Sequence, residues 1–544
     1  MAASPLADRT FRMLWLAQLV SGVGTWMQTV GAQWLLVHQA HAATLVSLVQ
    51  AASLLPVMFV SLPAGVLADV LDRRRLLVSV QAAMGVTAAA LAALTAAGLT
   101  TPAVLIALTF LLGIGQALTN PAWQAIQPEL VPREQIPAAA SLGSLNVNVA
   151  RAVGPALAGA LVAAAGSWAV FAVNAVSFVG VLAALLAWKR AAPHAGPAEP
   201  IGPALRAGTR YVRNAPGVRR ILLRAAIFVV PASALWALLP VVASGRLHLG
   251  AGGYGILLGA LGAGAVAGAL MLSRLRAHLS NNVLLAAATC VFAAGTLVAG
   301  TVASTAAVTA VMLVTGVGWL VALSTLNTAL QLSLPAWVRA RGLAGYLIVF
   351  MGGQGLGSLL WGAVAGRLQT GPTLVVAAVL LVAGAATLRG LPLLAQSGRL
   401  DRTVGAHWPE PHLAFDADPD DGPVLVTVSY RVPPGSERAF LDAARALGVS
   451  RRRTGAVHWG VYRDSADPGA FVEAFQVPSW QEHLRQHHDR VTGYDQELVD
   501  AVRALSSGEP AVRHLLPPGY AAALTPDAGS DGDGTADGHG GDRL

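Results

Sequence analysis

The sequence predicts an all-α polytopic membrane protein of six plus six spanning helices, followed by a small α+β soluble domain of ferredoxin-like order. Three observations predict it. Over 544 residues, 55% are hydrophobic and only 12% charged, whereas soluble proteins carry about 25% charged residues. Charge is sparse through the first 395 positions and common after Gly398, which separates a lipid-solvated part from a water-solvated one. The apolar runs before that boundary are long enough to span, a span needing about 20 residues.

The elements follow in order. Arg9 and Arg12 precede an apolar stretch from Phe11 to Val37 that lacks a small-residue cleavage site, so an uncleaved first helix is expected rather than a signal peptide. Further spans are expected at 44–68, 76–98, 102–126, 137–165 and 168–188. After a polar interval they resume at 221–243, 254–273, 283–303, 306–334, 343–366 and 373–395. The expected organisation is a six-helix half (1–190), a linker (191–220), a second six-helix half (221–397), a second linker (398–422), a soluble domain (423–517) and a disordered tail (518–544).

Basic residues orient the spans. One set of loops carries Arg73, Arg74, Arg75, Arg133, Lys189, Arg190, Arg206, Arg210, Arg213, Arg219, Arg220, Arg274, Arg276, Arg339 and Arg341. The alternate loops carry only Arg246 and Arg367. Both termini and the central loop are therefore expected in the cytoplasm, in a multi-pass protein of the cytoplasmic membrane. This placement also accounts for the net charge of +8, and no nucleic-acid partner is expected. The single cysteine, Cys290, lies in an apolar run, which excludes disulfide scaffolds and cysteine metal sites. Between Pro203 and Pro216, Arg206, Arg210 and Arg213 share a helical face. A short helix on the inner leaflet and a solvated linker both fit.

The two halves echo each other. Asn120-x3-Gln124-x3-Pro128 recurs as Asn327-x3-Gln331-x3-Pro335, and Arg151-x2-Gly154-x4-Gly159 as Gln354-x2-Gly357-x4-Gly362. Gly65-x7-Arg73 recurs as Gly268-x7-Arg276. The matches keep their order and nearly one offset, as in a duplicated six-helix unit.

The segment Gly65-Val66-Leu67-Ala68-Asp69-Val70-Leu71-Asp72-Arg73-Arg74-Arg75 resembles the loop signature of the major facilitator superfamily. The resemblance implies the major facilitator fold and a breakable latch, in which Gly65 lets helices approach while Asp69, Arg73 and Arg74 form and release ion pairs. Val70 and Asp72 depart from the usual basic residue and glycine, so the latch is expected to be wired differently. Arg151 to Gly159, with Gly154 and Pro155, resembles the glycine-proline signature of exporters in that superfamily and implies efflux. Its small residues permit close packing, and Pro155 removes a backbone donor.

Arg151 is the first candidate for substrate contact, because a guanidinium inside a helix should face the bundle interior and can hold an anion through charge-assisted hydrogen bonds. A structural tie near the cytoplasmic end is the alternative. Thr25 and Gln28, with Ser21, share a face of the first span; Gln116, Asn120 and Gln124 share one in the fourth; Asn327, Gln331 and Gln354 complete the candidate pathway. Amides in lipid seek partners, so a wet pathway and a facing helix both explain them. No Asp or Glu lies near the middle of an expected span, so proton coupling is implied by the resemblance alone. No GxxxxGK[ST] segment appears, which argues against ATP as a direct energy source.

In the tail, strands are expected at 424–432, 457–463, 471–477 and 512–516, with helices at 436–453, 479–490 and 494–505. That β-α-β-β-α-β order is ferredoxin-like and resembles the dimeric α/β-barrel domains of cofactor-free antibiotic-biosynthesis monooxygenases. His458, Trp459, His483, His487 and His488 invite a catalytic or metal-binding reading. HLRQH lacks the glutamate placement of HExxH, so surface histidines on an amphipathic helix are expected, with no metal and no cofactor. Residues from Thr525 onward are Gly- and Asp-rich, the composition of a disordered segment.

Membrane part and tail together resemble the transmembrane secretion effectors, a branch that includes enterobactin-type siderophore exporters and macrolide efflux proteins. The resemblance implies an antiporter exporting a small amphipathic molecule, either a siderophore-like metabolite or a drug. A membrane-tethered enzyme whose tail modifies a metabolite is the alternative. A third reading has the tail dimerise the chain or sense its cargo.

Overall fold

Backbone N–H and C=O groups in lipid must be satisfied within the chain, and a helix does this locally. The computed structural model describes residues 4–188, 201–393 and 417–517, with side chains at 62, 66, 68–70, 128, 133, 201–205 and 340 outside that description. The expected tail 518–544, most of the linker 398–422, Lys189 and Arg190, and the side chains of Asp69 and Arg133 therefore lie outside the described residues. The chain divides into two compact units, Met1–Arg402 and Thr403–Leu544.

The first unit is helical. Its first group comprises α1 (Arg9–Leu36), α2 (Ala42–Val70), α3 (Arg73–Ala96), α4 (Pro102–Ile126), α5 (Ile136–Ala165) and α6 (Ser167–Ala187). After α7 (Ile201–Asn214) come α8 (Pro216–Val241), α9 (Ala251–His278), α10 (Asn281–Thr301), α11 (Thr305–Ser333), α12 (Ala336–Leu368) and α13 (Thr370–Ala386). Among the described residues, eleven of these helices are long and apolar enough to cross a membrane. The 28-residue α1 is long enough too, but Gln18, Gln28 and Gln33 lower its mean hydropathy. The last expected span stops short at Ala386, where Thr387–Arg389 tightens into a 3-10 turn before Gly390.

Packing repeats between the groups. In the first, α1 lies on α5 and α6, α2 on α4, and α3 on α6; in the second, α8 lies on α12 and α13, α9 on α11, and α10 on α13. The groups meet chiefly through α5 on α9 and α2 on α12. The repeat extends to side chains at the basic-loop end. Arg73 donates to the carbonyl of Ala125 at the end of α4 (3.3 Å), and Arg276 donates to the Ser324 carbonyl and Thr328 Oγ1 in α11 (both 3.0 Å).

The interval between the groups does form a helix. α7 buries Ala207 and Tyr211 and exposes Arg206 and Arg213. Tyr211 stacks edge-on against Trp337 of α12 at 5.5 Å, and its hydroxyl donates to the Ser333 carbonyl. α7 is thus held by the second group rather than being a solvated linker.

The second unit contains a four-stranded antiparallel sheet of β1 (Val424–Arg431), β2 (His458–Arg463), β3 (Ala470–Val477) and β4 (Ala511–Leu515), in the order β2-β3-β1-β4. Strict alternation along β1 buries Val424, Val426, Val428 and Tyr430. That face packs with Phe440, Ala444 and Leu447 of α14 (Glu437–Thr454) and Val499 and Val502 of α16 (Gly493–Arg503). Between β3 and α16, α15 (Trp480–Arg485) runs into a π-helical turn, Gln486–Arg490. Three ion pairs are buried here: Arg451 with Glu473, Arg453 with Asp495, and Arg490 with Glu482. Each carboxylate has further donors, as buried charge requires; Glu473 also accepts from Trp459 Nε1 (2.9 Å) and Tyr430 Oη (3.2 Å).

Candidate functional site

The seam between the helix groups is built on glycine. A Cβ at Gly159 of α5 would stand 2.7 Å from the Ala251 carbonyl oxygen and 2.9 Å from Gly255 Cα of α9. On the other side of the seam, a Cβ at Gly362 of α12 would meet Ser47 Cβ of α2 at 2.5 Å. Gly362 also accepts a hydrogen bond from Thr44 Oγ1 (3.3 Å). These approaches lie at the ends of the helices away from the basic loops. There too, Tyr254 of α9 donates to Gln33 Oε1 of α1 (2.7 Å) and stacks on Trp34 at 5.8 Å. Toward the basic loops, by contrast, Gly65 and Gly345 have open space where a Cβ would be.

Arg151 sits at the middle of α5, about 22 Å from each end at 1.5 Å per residue. Its guanidinium lies over the Trp26 ring of α1, 5.5 Å from the centroid, and among the described residues its buried Nε has no hydrogen-bond partner. Three residues on, Gly154 allows α1 and α5 to approach, since a Cβ there would stand 2.6 Å from Trp26 Cβ. Pro155 is buried in the same turn, and its carbonyl oxygen faces Gly255 at 2.9 Å from where a Cβ would be. Arg151 therefore lies well away from the basic-loop end of α5. Gln354, at the corresponding position of α12, is buried as well.

The other candidate residues divide. Gln28 is buried and accepts from Asn174 Nδ2 of α6, so its amide joins two helices. Thr25 returns its hydroxyl to the Ser21 carbonyl (2.9 Å). In α4, Gln116 donates to Asn120 Oδ1 (2.7 Å), and in α11, Gln331 donates to Asn327 Oδ1 (3.1 Å). Asn120 and Asn327 are repeat equivalents, yet one is held by the glutamine a turn before it and the other by that a turn after. Gln124 is exposed.

At the basic-loop end, Asp72 caps α3 by accepting from the Arg75 N–H (2.8 Å). That role accounts for an acid where the family signature has glycine. Arg73 pairs with Glu129 at 2.7 Å. Arg74 donates to the carbonyls of Leu185 and Leu186 at the end of α6 (both 2.8 Å), where a helix C-terminus favours a cation.

Sequence reasoning missed Arg224. It lies in α8 and is buried, donating to the Gly384 carbonyl (3.1 Å), Thr387 Oγ1 and carbonyl (both 2.7 Å) and the Leu391 carbonyl (2.9 Å). Its position just inside an apolar run was the available signal. In the second unit, the expected surface histidines are a correction: His483 and His487 are buried and His458 is exposed. The apolar face of α15 and its π turn lies under the sheet and carries them inward.

Comparison with known proteins gives a consistent set. The sequence profile of the family described as transmembrane secretion effector matches residues 1–519. The chain is 32% identical over 166 residues to the staphyloferrin A transporter of Staphylococcus aureus, covering 30% of this chain and 42% of the relative. It is 28% identical over 172 residues to the multidrug efflux pump Tap of Mycobacterium tuberculosis, covering 30% and 41%. The matches thus span less than half the length of these curated relatives. Among solved structures, a bacterial homologue of the human lysosomal transporter Spinster, inward-facing and unoccupied, aligns with a TM-score of 0.57 at 14% identity, covering 71% of this chain and 96% of that one. The nucleoside transporter NupG aligns with a TM-score of 0.58 at 12% identity, covering 71% and 100%. At such identities the likeness is one of fold.

Proposed function

The chain belongs to the transmembrane secretion effector family of the major facilitator superfamily, and on that premise we propose that it is a secondary active exporter of a small amphipathic organic molecule. The observation that carries the reading is Arg151, a mid-helix guanidinium beside Trp26 whose Nε lacks a partner. A cation and an aromatic face together suit an anionic or phenolate-bearing aromatic compound. The functions of the relatives, siderophore transport and multidrug efflux, support a siderophore-like metabolite or a drug as cargo.

The mechanism is alternating access across the glycine seam, driven by proton entry. The positive-inside distribution supports a cytoplasmic-membrane protein with both termini and the basic loops in the cytoplasm. With that orientation, tight contacts at Gly159 and Gly362 and open space at Gly65 and Gly345 support reading this as an inward-facing state. Arg73, Glu129 and Arg74, with Asp69, form the latch that rearranges when the cytoplasmic side closes. Twelve spanning helices in two six-helix halves complete the assignment, α1 included.

The second unit reads as a ferredoxin-like domain, supported by its β-α-β-β-α-β order and the sheet order β2-β3-β1-β4. The sheet face away from the helices carries Leu425, Val472, Ala474, Leu515 and Tyr462. Leu425, Leu515 and Tyr462 are exposed there, which supports homodimerisation through this unit.

The test is accumulation of a panel of dyes, macrolides and catecholate siderophores in cells expressing wild type, Arg151→Ala or Arg151→Lys at equal membrane levels. Wild type lowers accumulation, and an uncoupler abolishes the effect. Arg151→Ala weakens export of anionic members by about 10- to 150-fold, the worth of one hydrogen bond to a charged group at about 1.5–3 kcal/mol. Export of every anionic member at wild-type rate by Arg151→Ala removes the assigned role of Arg151. No change with wild type across the panel removes broad efflux.

A further inference from the structure

The second unit brings together three histidines that nothing in the transport reading uses. His483 lies on α15, His487 in the π turn that follows, and His514 on β4. One nitrogen from each can be chosen so that all three lie within 4.8 Å of one another. Ring centroids are 4.6 Å apart for His483 and His487, 4.8 Å for His483 and His514, and 6.2 Å for His487 and His514. His483 is 0% exposed, and among the described residues neither of its ring nitrogens has a hydrogen-bond partner, nor does Nε2 of His514. A buried polar group without a partner is costly, and the ring nitrogens of His483 and His514, gathered with His487 at one point, share a remedy. We propose that His483, His487 and His514 form a binding site for a divalent first-row transition metal, zinc being the first candidate.

The fold makes the convergence specific. β4 pairs with β1 so that His514 stands opposite Val426, a residue of the buried face, and its imidazole therefore rises on the side covered by helices. On the helix side, the change from α to π winding at Gln486 places His487 beside His483; π turns of this kind recur at functional sites. Trp480 closes the site against His483 and His514, with ring centroids at 5.4 and 6.1 Å. Gln486 is fully buried, its amide donates to Thr454 Oγ1 (2.9 Å), and its amide oxygen is unmatched. That oxygen is suited to accept the second N–H of a ligating imidazole, the usual way of fixing such a ring.

The chemistry selects the ligand class. Three neutral nitrogens and no carboxylate suit zinc, copper or nickel rather than magnesium or calcium. His483 and His487 are buried and His514 is half-buried, so the three imidazoles converge in a largely water-excluded spot. The nearby Arg451 is paired with Glu473. Tetrahedral zinc with Zn–N bonds of about 2.0–2.1 Å needs nitrogens about 3.3 Å apart, so the widest separation must close by about 1.5 Å, within the reach of imidazole rotation. Three protein ligands leave a fourth position for water or a small ligand. Bound metal would join the helix layer to the edge strand β4.

The full chain, purified in detergent through a tag without histidine and stripped with chelator, would be titrated with cobalt(II) and zinc(II). Wild type is expected to develop the visible absorption of tetrahedral cobalt, bleached by one equivalent of zinc, with the thermal transition of the second unit shifted upward. His483→Gln and His514→Gln each weaken zinc by about 100-fold or more, beyond the 10- to 100-fold cost of losing an outer-shell partner. His458→Gln, at the other sheet edge, leaves binding unchanged. His514 is only half-buried on an edge strand, so that variant decides the matter even where His483→Gln does not fold. Equal metal uptake by wild type and His514→Gln, or a loss in His458→Gln as large, overturns the site.

Discussion

Adding one methyl group at Gly159 tests whether the glycine seam governs the transport cycle. The Cβ of Gly159→Ala would lie 2.7 Å from the Ala251 carbonyl oxygen, 2.9 Å from Gly255 Cα and 3.1 Å from Gly255 N. All three are backbone atoms of α9, so no side chain can turn aside. Carbon contacts are comfortable at about 3.5–4.0 Å, so α5 and α9 must separate by nearly 1 Å. Overpacking of this kind costs about 1–3 kcal/mol, and that penalty falls only on the state in which the seam is closed. The closed population should drop by about 5- to 150-fold. Gly259→Ala is the matched control, since its Cβ would meet Ala156 Cβ at 3.6 Å, an ordinary contact, while the gain in helix propensity is the same. In a Cys290→Ala background, spin labels at exposed Leu99 and Ala303 report the separation of the groups at this end. Gly159→Ala should shift the distance distribution outward and slow export, and Gly259→Ala should do neither. Identical distributions and rates for the two variants would refute the assignment of the seam as the moving contact.

Three further outcomes follow from other contacts. Arg224→Met removes the guanidinium that bonds Gly384, Thr387 and Leu391 and should destabilise the first unit by about 3 kcal/mol, read as a lower melting temperature with unchanged cargo preference. Burial would raise the Asp495 carboxyl, but Arg453 and the donors on Ser450 and Thr492 outweigh it and hold it below the ordinary value. Its stabilisation is thus complete above the unfolded value of about 3.9 and is lost as pH falls below that toward the folded value. Proteolysis of the second unit should accelerate below about pH 4 in wild type, and Asp495→Asn should be less stable at neutral pH with a flatter acid limb. Gly448→Ala would set a Cβ 2.5 Å from the Trp459 ring, which its bond to Glu473 holds in place; a loss of about 1–3 kcal/mol in the second unit is expected and is measured by the same proteolysis.

What was legible in the sequence was whatever has a short period or a short reach. Apolar runs of spanning length marked the helices, and alternation from Val424 to Tyr430 marked β1. The repeat was legible because Asn120 and Asn327, or Arg73 and Arg276, keep their spacing in the chain. Partners were not legible, because they depend on which helices become neighbours. That Gln28 meets Asn174 of α6 depends on which helix lies beside α1, which the spacing of its polar residues does not state. Arg224 drew no reading from the sequence, since nothing local says that the end of α13 will supply carbonyls. His514 is far in sequence from His483, and only the pairing of β4 with β1 turns it toward α15. The π turn at Gln486, which also decides where His487 points, leaves no periodic signature in so short a segment.

Two of the arginines inside spanning helices, Arg151 and Arg224, separate structure from function on one physical criterion. A guanidinium in a low-dielectric interior is tolerated when its donors are met. Arg224 meets this condition inside the protein, through helix-terminal carbonyls of α13, and its charge is then fully used in holding helices together. Arg151 does not: beside it are the face of Trp26 and an Nε left without a partner. Its repeat equivalent, Gln354, is neutral, so the charge is not part of the duplicated packing scheme and belongs to one half only. An Nε that the described packing leaves unmet is open to something that comes and goes, either water or an anionic ligand. That is why Arg151, rather than the better-bonded Arg224, is the residue through which cargo chemistry should be sought.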